Sequence, residues 1–241
     1  MKNVLLVLLV LLSSVNGISQ TEKERNGPLT SGTAPSFRAI STMGEINFPD
    51  DYFGKWKIIF SHPADFTPVC TSEILALAAS QEEFKKLKTQ LLVISTDGLN
   101  SHIEWVKSME SISYEGFEPV KIDFPLIADS ELEVSRVYGL LQSKTDEKKD
   151  IRGVIFIDPT NKIRAFFHYP NSIGRNIEEI KRTLIALQTQ ESYDVLTPAN
   201  WQPGDEVLIK SPSTIEEAEK LERKKDASLR KVTWYMWYKK M

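Results

Sequence analysis

Two short apolar runs constrain this chain most: residues 56–60 (WKIIF) and 90–96 (QLLVIST). The first has the β-branched and aromatic density of a buried strand, and the second is a further apolar strand. Between them, Ile74, Leu75, Leu77, Ala78, Phe84 and Leu87 recur at helical spacing. A strand, a helix and a second strand of this length make a crossover between parallel strands. The chain is thereby committed to an α/β class built on a central sheet.

The rest of the chain extends that sheet. Residues 101–109 carry Ile103 and Val106 at helical spacing, with Asn100 or Ser101 as the expected cap. Residues 124–128 (FPLIA) precede a helix predicted over 131–138 that ends at Gly139, where a glycine suits the C-cap. Residues 142–150 form a charged tip. Residues 152–157 (RGVIFI) and 163–169 (IRAFFHY) are predicted as two strands joined by the turn Asp158-Pro159-Thr160-Asn161-Lys162. An amphipathic helix follows over 176–189. From residue 191 the character changes, because Pro198, Pro203, Gly204 and Pro212 cut the chain into short pieces. A charged helical run over 215–225 and an aromatic stretch over 234–238 complete a smaller C-terminal domain, 191–241.

Residues 1–17 stand apart: Lys2, an unbroken apolar run over 4–12 and the small-residue exit Val15-Asn16-Gly17 read as a signal peptide. The run is shorter than the roughly 20 residues that span a bilayer, so cleavage and export, to a periplasm or outside the cell, are expected. Residues 18–31 read as a flexible leader, and 32–190 as the main domain. Lysines and acids are interspersed and the formal charge is −3, which gives no footprint for nucleic acid. His62, His102 and His168 have no ligand-like spacing, so no metal site is expected.

The only cysteine, Cys70, lies where the first strand's loop becomes the helix's first turn. Unpaired backbone N–H groups there favour a thiolate over a thiol. A lone cysteine is most often an inert buried residue. Here Pro63 and Pro68 restrict the loop, and the Thr67 hydroxyl lies three residues before the sulfur. With one cysteine the chain can form no internal disulfide, and no C-x-x-C pair exists for disulfide exchange.

The spacing Pro63-x-x-x-Thr67-x-x-Cys70 resembles the active-site loop of peroxiredoxins, and SHPADFTPVCTSE resembles the one-cysteine subfamily. The opening string over 32–37, the stretch from Phe124 to Asp129 and the string TPANWQPGDEV extend the resemblance over residues 30–238. It implies a thioredoxin-like fold, with a central mixed β-sheet flanked by helices and a smaller C-terminal domain. It implies a cofactor-free peroxidase acting on hydrogen peroxide and organic hydroperoxides, in which Cys70 becomes a sulfenic acid recycled by an external thiol, and a homodimer. By resemblance, Arg152 in DIRGVIFIDP is the arginine that holds the thiolate and peroxide oxygens, and Arg175 in YPNSIGRN supports it. Thr67 is expected to hydrogen-bond the peroxide and Pro63 to shield the thiolate. His62 either tunes the pocket or is a hydrogen-bonded histidine of the loop. Some one-cysteine relatives are also phospholipases through a serine before this loop; residues 52–56 contain none, so that activity is not expected. The competing reading is a chaperone or signalling protein on the same fold, against which Thr67 and Arg152 both speak.

Overall fold

A computed structural model describes residues 32–116, 118–141 and 149–241, so the predicted signal peptide and leader lie outside the described residues. The parallel pair is present: β3 (Trp56–Ser61) and β4 (Thr89–Ser95) run side by side, joined by α1 (Pro68–Lys86). β3 is buried along its whole length, as a strand covered on both faces must be. Ile58 and Phe60 enter the core under α1 and α4 (Ile177–Tyr193), while Ile59 enters the core on the opposite face. That alternation is the period of two expected of a strand.

The opening string leads into a hairpin of β1 (Phe37–Ser41) and β2 (Gly44–Phe48). β5 (Leu126–Ala128) pairs parallel to β4, while β6 (Arg152–Ile157) and β7 (Ile163–Tyr169) form the antiparallel pair on the other side. The sheet order is β2-β1-β5-β4-β3-β6-β7, so β3 lies inside the sheet and its C-terminal end opens onto the loop before α1. A second, three-stranded sheet holds β8 (Val207–Leu208), β9 (Leu229–Thr233) and β10 (Met236–Lys239), with α5 (Ile215–Arg223) beside it in sequence. Its small core of Val195, Trp201 and Val207 packs on Ala186 of α4, which fastens the C-terminal domain to the main one.

Several boundaries differ from the sequence expectation, each for a local reason. α2 (Leu99–Met109) is capped by neither Asn100 nor Ser101; Gly98 is the cap, and its carbonyl accepts the His102 N–H at 3.2 Å. α3 shrinks to Glu133–Val137 because Leu132 turns left-handed at φ 62°. The first turn is instead capped from outside, Asp129 accepting the Val134 and Ser135 N–H groups at 3.1 and 2.7 Å. The aromatic stretch is partly a strand, with Trp237 buried and Trp234 and Tyr235 exposed. Of the charged tip, residues 142–148 lie outside the described residues, and Leu141 bridges Asp150 across it.

Candidate active site

After Ser61 the chain turns through residues 62–67, and α1 starts with Pro68, whose missing N–H costs nothing at that position. Phe66 holds φ 54°, a conformation rare for a bulky residue, and stays 59 % exposed. Thr67 occupies the N-cap position without capping through its side chain. Its hydroxyl donates to the Ala64 carbonyl at 3.0 Å. A carbonyl can only accept, so the hydroxyl proton is committed and the oxygen's lone pairs are left to accept. Pro63 is buried within the same loop.

Cys70 is the third residue of α1 and fully buried. Burial alone would suit an inert core thiol, yet the first residue of β6 reaches it: Arg152 Nη1 donates to Cys70 Sγ at 3.3 Å. The same nitrogen donates to Glu73 Oε2 at 2.7 Å, and Arg152 Nε donates to the Asn171 carbonyl at 2.8 Å. Arg175 lies just before α4. Its Nε donates to Glu73 Oε1 at 2.9 Å and its Nη2 to Glu73 Oε2 at 2.7 Å, while Nη1 serves the Ser61 and Gly153 carbonyls. Glu73 stands one turn beyond Cys70, hence on the same side of α1.

Two guanidinium groups and one carboxylate are buried here, each with hydrogen-bond partners, as charges removed from water require. Their sum is one positive charge, and one of its N–H groups points at sulfur. That is the arrangement a thiolate balances and a nucleophilic thiol needs.

Gly153 lets β6 come this close. A Cβ there would lie 2.7 Å from Leu140 Cδ2 and 3.0 Å from Ser61 Oγ. Ser61 Oγ fastens the approach, accepting the Gly153 N–H at 2.9 Å and donating to the Ile151 carbonyl at 2.6 Å.

Residues 31–166 match the family model described as AhpC/TSA family. The chain belongs to the AhpC/TSA family. Residues 186–225 match the C-terminal domain of 1-Cys peroxiredoxin. A peroxiredoxin of Methanosarcina mazei is 47% identical over 214 residues, covering 88% of this chain and 98% of its own. One from Aquifex aeolicus is 42% identical, covering 78% and 86%. Among solved structures, a yeast mitochondrial 1-Cys peroxiredoxin superposes with a TM-score of 0.78 at 34% identity, covering 89% of this chain and 100% of its own. A cysteine-to-serine mutant of peroxiredoxin 6 from Arenicola marina gives 0.77 at 32%, covering 89% and 98%. The chain is thus a peroxiredoxin with one cysteine, a thiol-dependent peroxidase of thioredoxin-like fold.

The structure brings Cys70, Arg152 and Arg175 into one cluster, and places Pro63 and Thr67 in the loop that leads to it. Glu73, the carboxylate that joins the two arginines, was not anticipated; an acidic residue among the polar positions of a helix reads as an ordinary solvated side chain. The one available signal was its position three residues after Cys70. His62 is not the hydrogen-bonded loop histidine of the second expectation. Neither ring nitrogen has a hydrogen-bond partner, and Nε2 lies 3.7 Å from Asp65 Oδ1. Burial drives its pKa down to about 3 against the opposing pull of Asp65. His62 is a neutral ring packed 5.1 Å from Trp105, and it brings no charge to the sulfur.

A second buried polar group lies two residues before Arg152. Asp150 accepts the Ser135 hydroxyl at 3.0 Å and its other oxygen has no partner. Burial, and then the nearby Asp129 and Asp97, push its carboxyl up to about 8 against the Ser135 hydrogen bond.

Proposed function

We propose that this peroxiredoxin reduces hydrogen peroxide and small organic hydroperoxides with Cys70 as nucleophile, Arg152 and Thr67 as the groups that receive the substrate, and Arg175 and Glu73 as their support. The 3.3 Å bond from Arg152 Nη1 to Cys70 Sγ carries this reading. The thiolate attacks the terminal oxygen of ROOH, an S–O bond forms, and the O–O bond breaks. The departing RO⁻ takes a proton, sulfur is oxidised by two electrons, and Cys70 becomes a sulfenic acid. Thr67 Oγ, its own proton committed to Ala64, accepts the hydrogen of the attacked oxygen. Arg152 steadies first the thiolate and then the negative charge developing on the peroxide. Because Cys70 is out of solvent contact, peroxide reaches sulfur only as the side chains packed over it give way.

No second cysteine exists to resolve the sulfenic acid. Two equivalents of an outside thiol are needed: the first forms a mixed disulfide and releases water, and the second frees Cys70. The solved yeast relative is described as resolved through glutathione and thioredoxin systems, and we assign the same class of reductant here, a small thiol or a thiol protein. We also propose export through residues 1–17 and a homodimer that uses exposed Trp234 and Tyr235.

The test is intact-mass measurement after one equivalent of hydrogen peroxide and a sulfenic-acid trap, in the reduced protein and in Cys70→Ser. One adduct, at Cys70 and absent from the variant, is expected. An unmodified Cys70 after full peroxide exposure contradicts the reading.

A further inference from the structure

The loop that carries Pro63 and Thr67 is held from behind by two buried side chains remote from the sulfur's own partners. Asp65 is 8% exposed and His102, on α2, is fully buried. His102 Nε2 lies 3.2 Å from the Ile127 carbonyl of β5, and Nδ1 lies 2.8 Å from Asp65 Oδ2. The carbonyl only accepts, so Nε2 must carry a proton. An ionised Asp65 also only accepts, so the second contact needs a proton too, on Nδ1 or on the carboxyl. The pair therefore holds one proton more than a neutral imidazole and a carboxylate bring together.

His62 does not supply it. Its Nε2 is 3.7 Å from Asp65 Oδ1, outside hydrogen-bond reach. The backbone is fixed in the same place: the Asp65 N–H donates to Asp97 Oδ2 at 2.7 Å, and the His62 N–H donates to the Ile94 carbonyl at 3.1 Å. Only Phe66, with its left-handed backbone, separates this anchor from Thr67.

We infer that Asp65 and His102 are positioning residues for peroxide reduction: their proton-sharing pair sets the 62–67 loop so that Thr67 Oγ and Cys70 Sγ receive one peroxide between them. The inference rests on Cys70 and Thr67 acting as proposed above. It is separable from the thiolate's own support, because Arg152 reaches Cys70 from β6, and Glu73 of α1 and Arg175 of the segment before α4 stand behind that arginine. Loosening the loop misplaces the peroxide and leaves the sulfur's electrostatics in place.

The test measures two rates on the reduced full chain: oxidation of Cys70 by hydrogen peroxide and its alkylation by iodoacetamide, which needs no Thr67. Asp65→Ala should lose about 100-fold in the peroxide rate, the effect of a reacting group misplaced by about 1 Å, with alkylation little changed. Asp65→Asn should recover most of the loss, because its amide N–H can donate to Nδ1 while Nε2–H keeps Ile127. A wild-type peroxide rate in Asp65→Ala, an Asp65→Asn no faster than Asp65→Ala, or a parallel fall of both rates would each overturn the inference. If Asp65→Ala does not fold, His102→Gln replaces it: glutamine has no atom in the place of Nδ1, so the Asp65 contact is lost, and an unchanged peroxide rate overturns the inference. A wild type oxidised no faster than a free thiol would instead defeat the peroxidase assignment on which it stands.

Discussion

Arg152 and Asp150 sit two residues apart at the root of β6, and the protein handles their burial in opposite ways. Arg152 is a guanidinium whose N–H groups find Glu73 and the Asn171 carbonyl as acceptors, and Arg175 bonds the same carboxylate. Asp150 has one hydroxyl donor, two acidic neighbours and an oxygen with no partner, and it keeps its proton. Charge is retained where it faces sulfur and discarded where it does not. The difference shows that burial alone does not make a reactive site; the inventory of hydrogen-bond partners does.

The comparison breaks most visibly at Glu73. Glu73→Ala leaves two buried guanidinium groups without their carboxylate, and should cost about 3–5 kcal/mol in chemical denaturation along with most peroxidase activity. A loss under about 1 kcal/mol, the range of an exposed pair, would mean that water reaches the arginines.

Asp150 predicts a pH dependence of the opposite kind. In the unfolded chain its carboxyl releases its proton near the ordinary value of 3.8, whereas the folded chain holds it to about 8. Between those limits the folded state binds one proton more, so stability falls as pH rises through the window, by up to about 1.4 kcal/mol per pH unit, and then levels. Asp150→Asn should be more stable than wild type at neutral pH and flatter in thermal melts across the window. Parallel pH profiles for the two proteins would show that Asp150 is already ionised.

The smallest effect is expected at Ser135. Ser135→Ala removes one hydroxyl donor, costs about 1 kcal/mol, and moves the Asp150 window to higher pH because the lost hydrogen bond favoured the ionised form. Calorimetry across the same pH range reads both changes.

Much of the frame was legible in the sequence because it rests on local rules. The apolar runs around residues 56–60 and 90–96 place the two parallel strands, and Pro68 with Cys70 places the thiol in a helix's first turn. Arg152 and Arg175 came from resemblance and not from spacing, since nothing local says that residues 82 and 102 positions from Cys70 and Glu73 will meet them. Glu73 was hidden for a related reason: a carboxylate on a helix reads as solvated, and nothing local signals that residues 152 and 175 bury it. The His102–Asp65 pair spans 37 positions and joins a loop to a helix, which no periodicity encodes. For His62 the hydrogen-bonded alternative was the one the structure removes, because burial leaves its ring nitrogens without a partner, which sequence position does not reveal.

The central claim is that the guanidinium of Arg152, held by Glu73, makes Cys70 a fast nucleophile toward peroxide. Stopped-flow mixing of the reduced protein with hydrogen peroxide, followed by tryptophan fluorescence in wild type and Arg152→Lys, tests it directly. Lysine keeps a positive charge but cannot serve Glu73, Asn171 and sulfur together from one planar group, so the second-order rate should fall by about 100- to 1,000-fold. A variant rate within a few-fold of wild type would contradict the claim and leave Cys70 reactive for some reason other than its arginine.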